Sequence, residues 1–233
     1  FAARKRGTLD DYKEAIRLYT TALQIMPVHF KALFNRGFAY DKIKNFDKAI
    51  EDYNRAIDLD PNNPFAYYNR GISFDRMGDY EKAVHYYRKA KILRIKIEDK
   101  RGLAHSLFLI GVVHENLNQL NKAKEFLEES LDIQKEIGIK KGTLILETRI
   151  YLQLIMKRSG IPLNKEIILK LLEETDSVDF VVNFRLYHLF EEKSYLESAY
   201  NGIKNITDKL STPDEFLHLS LPKSIVNEWK RIN

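Results

Sequence analysis

The sequence DYKEAI at 11–16 recurs as NFDKAI at 45–50 and as DYEKAV at 79–84. The alanines of the three segments are Ala15, Ala49 and Ala83, so the chain repeats twice with a step of 34 residues. A fixed step of this size indicates a repeat architecture in which each unit is one supersecondary element. Since such a unit buries its apolar face only against its neighbours, the units are expected to stack.

Further landmarks recur with the same step. The segment ALFNRG at 32–37 matches AYYNRG at 66–71, and Pro27 and Pro61 close the first two units. A tyrosine is followed by an alanine three residues later in each unit, at Tyr19, Tyr53 and Tyr87. This pattern resembles the tetratricopeptide repeat family, whose 34-residue unit is a helix–turn–helix. The resemblance implies an all-α fold, a right-handed superhelical solenoid.

A fourth unit follows at a longer step. Ala123 stands 40 residues after Ala83, and Gly111 is the small helix residue of this unit. The additional residues fall between Arg88 and Arg101, where no proline interrupts the chain. We expect a lengthened second helix there, similar to the longer-step variants of the family.

Beyond Gly138 the sequence no longer shows the recurring residues of the repeat at regular positions. Apolar spacing predicts two degenerate helix pairs, Leu144–Arg158 with Lys165–Glu174 and Phe180–Glu192 with Leu196–Leu210. Thr212-Pro213 and Leu221-Pro222 are typical of helix starts, because proline is tolerated in the first turn.

The last segment is predicted to cover the open end of the solenoid. Ile225, Trp229 and Ile232 recur at helical spacing, and a stack of repeats needs its terminal apolar face covered. We therefore expect capping helices at 211–233, after regular repeats at 1–137, the first of them partial, and degenerate pairs at 138–210. A tail that binds a partner is the alternative interpretation of the last helix.

Composition and motifs argue against an enzyme. The chain has 233 residues, 44% of them hydrophobic, a net charge of +5 and no cysteine, which removes disulfides, thiolate catalysis and cysteine-based metal sites. The six histidines have no metal-ligand spacing, and neither a phosphate-binding glycine loop nor a nucleophile elbow is present. We predict a soluble, cytoplasmic protein without catalytic residues, cofactor, metal or membrane partner. Because the sequence begins at Phe1, we interpret it as part of a longer or processed protein.

The resemblance also implies a binding groove, since the first helix of each tetratricopeptide unit lines the concave surface. Counting from the repeat glycines selects equivalent positions in three units. The predicted groove residues are Lys31, Phe34, Asn35, Phe38 and Asp41, then Phe65, Tyr68, Asn69, Ile72 and Asp75, then His105, Phe108 and Val112.

The pair Asn35 and Asn69 resembles the asparagine ladder with which some proteins of the family grip an extended peptide. A side-chain amide offers a donor and an acceptor, so it binds a ligand backbone whatever the ligand's sequence. Leu109 breaks the ladder at the third unit, and the common occurrence of Asn-Arg-Gly in such repeats is the alternative explanation.

Aromatic side chains are predicted to form one wall of the groove. Aromatic anchors often contribute the strongest contacts of an interface. The wall consists of Phe34, Phe38, Phe65, Tyr68 and Phe108. A clamp for a terminal carboxylate is not expected, because Phe65 and Asn69 stand where such clamps of the family have lysine and arginine.

A basic stretch runs from Arg88 to Arg101, with seven basic residues and only Glu98 and Asp99 as acids. We expect its isoleucines to face the core and its bases to form a solvated helix face. A patch for an acidic partner is the alternative, and nucleic-acid binding would need a continuous basic stripe with stacking aromatics. The candidate patch residues are Arg88, Lys91, Arg94 and Lys96.

Three functions stay open at this stage. The preferred one is a scaffold, adaptor or regulatory module that recognises a protein or peptide segment in the groove. A structural or self-assembly module of a larger protein is the alternative, and a nucleic-acid-binding surface is the least favoured. Fold class alone does not identify the partner.

Overall fold

The computed structural model describes residues 8–140, 142–173, 179–207 and 220–232, and within them it contains twelve α-helices and no strand. The all-α repeat fold is therefore confirmed. The helices are α1 Leu9–Ile25, α2 Phe30–Lys42, α3 Phe46–Leu59, α4 Pro64–Met77, α5 Tyr80–Lys96, α6 Lys100–Asn116, α7 Leu120–Glu136, α8 Thr143–Arg158, α9 Lys165–Glu173, α10 Phe180–Phe190, α11 Lys193–Thr207 and α12 Ser220–Ile232.

The chain divides into two compact units, Phe1–Ile133 and Gln134–Asn233. In the first unit the helices alternate between two kinds. We call α2, α4 and α6 the A helices, because each contains a repeat glycine, and we call α1, α3, α5 and α7 the B helices. Each A helix packs against the B helix that follows it.

Side-chain caps and tight turns end the helices where the sequence changes. Asn45, Asn63 and Asp79 accept hydrogen bonds from backbone N–H groups at the starts of α3, α4 and α5, groups that lack a partner within the helix. In the turn between α4 and α5, Gly78 has a φ of 80°. This left-handed conformation is one that glycine adopts without steric cost.

Close packing between A and B helices explains the repeat glycines and tyrosines. A Cβ atom built on Gly71 would lie 2.7 Å from the ring of Tyr87, and one on Gly37 would lie 3.0 Å from the ring of Tyr53. Both tyrosines are fully buried. In the fourth unit, which follows at the longer step, Leu127 takes the place of the tyrosine, 2.7 Å from a Cβ on Gly111. Only glycine therefore fits at these positions without displacing its neighbour.

The additional residues of the longer step to the fourth unit are shared between two helices. Helices α5 and α6 have 17 residues each, whereas α3 and α4 have 14. The expectation that the second helix alone is lengthened was therefore only half correct. The N-cap Asp99, which accepts from the Gly102 N–H at 2.9 Å, starts α6 early and gives it the extra turn.

The second unit contains the two predicted degenerate pairs, α8 with α9 and α10 with α11, at bounds close to those expected. Branched aliphatic side chains such as Leu146, Ile150, Leu186 and Leu196 are fully buried in it.

The last helix packs on the second pair, and its role as the cap of the solenoid stays a prediction. The Ile225 side chain is fully buried against the cluster of Phe184, Leu196, Ala199 and Ile203. Trp229 is half-buried and stacks on Tyr200, with ring centroids 5.0 Å apart. The expected helix start at Thr212 lies outside the described residues.

Candidate functional site

The predicted groove residues lie on the three A helices at equivalent positions of successive repeats. We call this set the A-helix row. Its members differ in exposure. Lys31 and Phe65 are exposed, and the half-buried members are Phe34, Asn35, Phe38, Tyr68, Asn69, Ile72, Asp75, His105 and Val112.

Asn35 and Asn69 are held in the same local geometry. The side-chain amide of Asn35 donates to the carbonyl of Lys31 at 2.7 Å, and that of Asn69 donates to the carbonyl of Phe65 at 2.8 Å. Each amide therefore bonds one turn back along its own helix and has a fixed orientation.

The aromatic members divide between surface and core. Phe65 is 49% exposed, whereas Phe34 stacks on Phe30 at 5.9 Å and packs on the core between α1 and α3. Tyr68 lies 5.9 Å from Tyr87 at the edge of the core. The placement of Phe108 in the aromatic wall was wrong, because its side chain is only 7% exposed. Phe108 stands three residues before Gly111, as Phe34 does before Gly37, so counting from the repeat glycine does not determine which side chain reaches the surface.

Asp41 is also buried, so it does not line an accessible surface as the repeat position suggested. Its carboxylate accepts from the Ser73 hydroxyl at 2.9 Å and pairs with the Arg76 guanidinium, which ties α2 to α4. Burial raises the pKa of Asp41, and the charge of Arg76 opposes this shift. Burial likewise raises the pKa of Asp75, which accepts from the Tyr87 hydroxyl at 3.4 Å.

One repeat position was missed by the sequence analysis. Lys42 and Arg76 both stand five residues after a repeat glycine, and both are exposed. The Lys42 ammonium lies 5.0 Å from the centre of the Phe38 ring, and Arg76 pairs with Asp41. The recurrence of a basic residue at this position in two units was the signal that could have identified them.

The basic stretch is arranged differently from the sequence prediction. Arg94, expected in a surface patch, is 3% exposed, and burial lowers its pKa. Its guanidinium donates to the Ser106 hydroxyl at 2.8 Å and lies 4.4 Å from the centre of the Tyr68 ring. The isoleucines expected in the core, Ile92 and Ile95, are instead exposed.

The other patch residues lie on the surface. Arg88 and Lys96 are exposed, and the half-buried Lys91 pairs with Glu129 of α7 at 3.1 Å. Of the predicted patch of Arg88, Lys91, Arg94 and Lys96, all but Arg94 therefore lie at the surface.

The described residues offer no group of three or more histidine, aspartate or glutamate side chains that could hold a metal ion. Among the described helices, none has the length and apolar character that crossing a bilayer requires.

Family models for the tetratricopeptide repeat match residues 30–63 and residues 64–136. Residues 30–136 are tetratricopeptide repeats. The boundary between the two matches coincides with the start of α4, so one match covers α2 and α3 and the other covers α4 to α7. Tetratricopeptide repeats and related solenoids present extended surfaces to other proteins. The chain is therefore a protein-interaction or self-assembly scaffold.

Solved structures agree with the tetratricopeptide repeat fold. A crystal structure of MamA covers 73% of this chain and 90% of its own length, with 21% identity and a TM-score of 0.57. BtubC from P. vanneervenii covers 70% of this chain and 71% of its own, with 18% identity and a TM-score of 0.59. The match to a MamA fragment from Desulfovibrio magneticus RS-1 covers 72% of this chain and 89% of the fragment, with 17% identity and a TM-score of 0.58. No curated protein sequence matches the chain significantly.

Proposed function

We propose that the A-helix row binds an extended peptide segment of a protein partner. The observation that carries the proposal is the repeated geometry of Asn35 and Asn69. Each amide donates to the carbonyl one turn back on its own helix, and the two asparagines stand one repeat step apart. Equivalent positions of stacked repeats form a row, and an extended chain presents backbone amides at regular intervals along such a row.

The neighbouring side chains support the same proposal. Phe65 is the most exposed aromatic ring of the row, and Phe38 and Ile72 are half-buried beside the asparagines. A partly exposed apolar side chain next to a polar amide favours a ligand that alternates backbone hydrogen bonds with buried side chains. Aromatic anchors of this kind usually contribute most of the binding free energy.

The test begins with a peptide that binds the parent protein, selected from a random displayed library and then synthesised with a fluorescent label. The double variant Asn35→Ala/Asn69→Ala is compared with the parent by fluorescence anisotropy. We expect affinity to fall by about 1–3 kcal/mol, because two hydrogen-bonded amides are removed. The melting temperature is expected to change little, since both side chains lie at the surface.

A matched control removes two asparagines elsewhere. Asn121 on α7 and Asn201 on α11 are exposed and lie outside the A helices. Asn121→Ala/Asn201→Ala is expected to bind the peptide like the parent. Equal affinity of the parent and the Asn35→Ala/Asn69→Ala variant would show that the asparagines do not grip the ligand.

A further inference from the structure

The outer face of α5 carries a continuous strip of basic and apolar side chains. We call this strip the α5 ridge and define it as Arg88, Lys89, Ile92, Ile95 and Lys96. Their spacing of three and four residues places them on one helix face, and all five are exposed. Ile92 and Ile95 are 51% and 53% exposed, so two neighbouring isoleucines remain in water in the middle of the basic residues.

This exposure is paired with an unusual burial on the opposite side of the helix. Arg94 occupies the core-facing side, where it contacts Tyr68, Ser106 and the carbonyl of Gly102. Burying a guanidinium costs solvation free energy, which these contacts offset. Helix α5 therefore places a cation inside and two apolar side chains outside. This is the reverse of the burial that a purely structural helix favours.

Acidic residues border the ridge on both sides. Helix α7 lies next to α5, because Lys91 pairs with Glu129. Up to Ile133, the exposed charged residues of α7 are four acids and two bases, Glu125, Glu128, Glu129 and Asp132 with Lys122 and Lys124. Helix α3 lies on the other side, since Arg70 donates to Asn54 of α3 and stacks 3.7 Å from the Tyr86 ring of α5. The exposed charged residues of α3 are three acids, Asp47, Glu51 and Asp58, and one base, Lys48.

The width of the basic strip restricts what it can bind. A bilayer surface or a nucleic-acid duplex is broader than one helix and would also meet α3 and α7, where exposed acids outnumber exposed bases. A bound helix is about 10–12 Å in diameter with its side chains, so it fits on the strip that α5 alone presents. Charge complementarity therefore favours one acidic segment that lies along α5 alone.

We propose that the α5 ridge binds an acidic amphipathic helix of a protein partner. The apolar side of that helix covers Ile92 and Ile95, and its carboxylates pair with Arg88, Lys89 and Lys96. This recognition mode uses apolar anchors at helical spacing. The surface belongs to a B helix and is separate from the A-helix row, so the protein has two binding surfaces.

The test uses a designed 16-residue peptide of helical spacing, with leucines three and four residues apart and glutamates at most other positions. The same peptide with lysine in place of every glutamate is the charge control. Binding to the full chain is measured by fluorescence anisotropy of the labelled peptides. We expect the glutamate peptide to bind and the lysine peptide not to bind. The affinity of the glutamate peptide should fall several-fold at higher salt, because the ion pairs are screened.

Two ridge variants separate the apolar and the basic contributions. Ile92→Ser/Ile95→Ser and Lys89→Glu/Lys96→Glu are each expected to weaken the glutamate peptide at least tenfold. All four side chains are exposed, and circular dichroism is expected to show unchanged helix content. The control Lys13→Glu/Lys48→Glu makes the same change of net charge on exposed residues of α1 and α3 and is expected to bind like the parent.

Several results would overturn the proposal. They are absence of binding by the glutamate peptide, equal binding by the ridge variants and the parent, and equal weakening by the control variant. Self-association of the parent that the ridge variants abolish would identify a second copy as the occupant instead. Ridge-dependent binding to vesicles of phosphatidylcholine with phosphatidylserine that is tighter than binding to the peptide would identify a membrane surface.

The test is independent of the proposed groove function. Asn35→Ala/Asn69→Ala is expected to retain the glutamate peptide, and the ridge variants are expected to retain the peptide selected for the A-helix row. Failure of one surface is therefore distinguishable from failure of the other.

Discussion

Helix pairs in the first unit, residues 8–133, pack a glycine of one helix against a large side chain of the next. In the second unit, whose described residues are 134–140, 142–173, 179–207 and 220–232, branched aliphatic side chains fill the core and polar contacts do not follow the repeat step. Gly71 faces Tyr87 in the first unit, whereas in the second Gln134 donates to Thr148 at 3.1 Å and Arg185 pairs with Glu147 at 2.8 Å. A single packing solution repeats along the first unit, and these polar contacts of the second unit stand at positions that do not repeat.

This difference explains why the sequence predicts the packing of the first unit better than that of the second. A repeated solution requires the same residue types at the same step, because the same gap must be filled each time. A contact that occurs once requires only that its own partners fit. The predictions below test whether stability in each unit depends on the interactions assigned to it, from the largest expected effect to the smallest.

The largest effect is expected from Tyr87→Ala in the first unit. The ring is fully buried against Gly71 and Tyr68, and its removal leaves a large cavity. We expect the free energy of unfolding to fall by about 3–5 kcal/mol, measured by urea denaturation followed by circular dichroism. Tyr87→Phe keeps the ring and loses only the hydroxyl contact to Asp75, so its loss should be much smaller. A loss below about 1 kcal/mol for Tyr87→Ala would contradict the packing role of the ring.

Trp229→Ala tests the cap of the second unit. The indole stacks on Tyr200 but is only half-buried, so we expect a loss of about 2–3 kcal/mol, less than for a fully buried tryptophan. Melting is followed by circular dichroism, with the exposed Lys230→Ala as the control on the same helix. If Trp229→Ala melts like the parent, the tryptophan contributes to binding another molecule and not to the cap.

Arg185→Ala is expected to destabilise the second unit by about 2 kcal/mol, because it leaves the partly buried carboxylate of Glu147 without its charged partner. Burial already raises the pKa of Glu147 even with Arg185 present. The double variant Arg185→Ala/Glu147→Gln removes both charges and is expected to recover part of the loss in urea denaturation. No recovery would mean that the arginine stabilises mainly through its stacking on Tyr151.

Gly71→Ala tests the close approach in the first unit. The new Cβ would lie 2.7 Å from the Tyr87 ring, so the ring must move. Overpacking typically costs about 1–3 kcal/mol, and the higher helix propensity of alanine returns up to about 1 kcal/mol. We expect a net loss of about 1–2 kcal/mol in the free energy of unfolding. Combining Gly71→Ala with Tyr87→Ala should cost less than the sum of the two single losses, since the new Cβ no longer meets the ring. Strict additivity would contradict the contact.

The smallest effect concerns His114, a buried polar side chain in the first unit. Burial lowers its pKa below 6.5, the hydrogen bond to Gln119 opposes this shift, and the nearby charges of Arg88 and Lys122 lower the pKa further. The unfolded chain therefore binds a proton at higher pH than the folded chain does. This contribution to stability is complete above pH 6.5 and is lost as the pH falls through the lowered pKa.

The measurement compares thermal melting of the parent and of His114→Gln between pH 7.5 and pH 5. The parent is expected to lose more stability than the variant over this interval. Parallel curves for the two proteins would show that His114 does not titrate differently in the folded and unfolded states.

Sequence alone determined the repeats and the helix pairs of both units, while the capping role of the last helix stays a prediction. The step from Ala15 to Ala49 to Ala83 arises because the same helix packing recurs in each unit. The spacing of Ile225, Trp229 and Ile232 arises because they share one apolar helix face. Such patterns are visible because each depends on residues of a single helix or on strict repetition. The row positions of Asn35 and Asn69 followed from the same counting, while their role in binding stays a prediction.

Only the tertiary structure decided which side of α5 faces the core. The alternation of bases and isoleucines allows two orientations, and the contacts of Arg94 with Tyr68 and Ser106 select the one that exposes Ile92 and Ile95. The burial of Asp41 has the same origin, because its partners Ser73 and Arg76 stand more than thirty residues later on another A helix. The free energy of burying a charge depends on partners that are distant in sequence, so the pattern of one helix does not determine it.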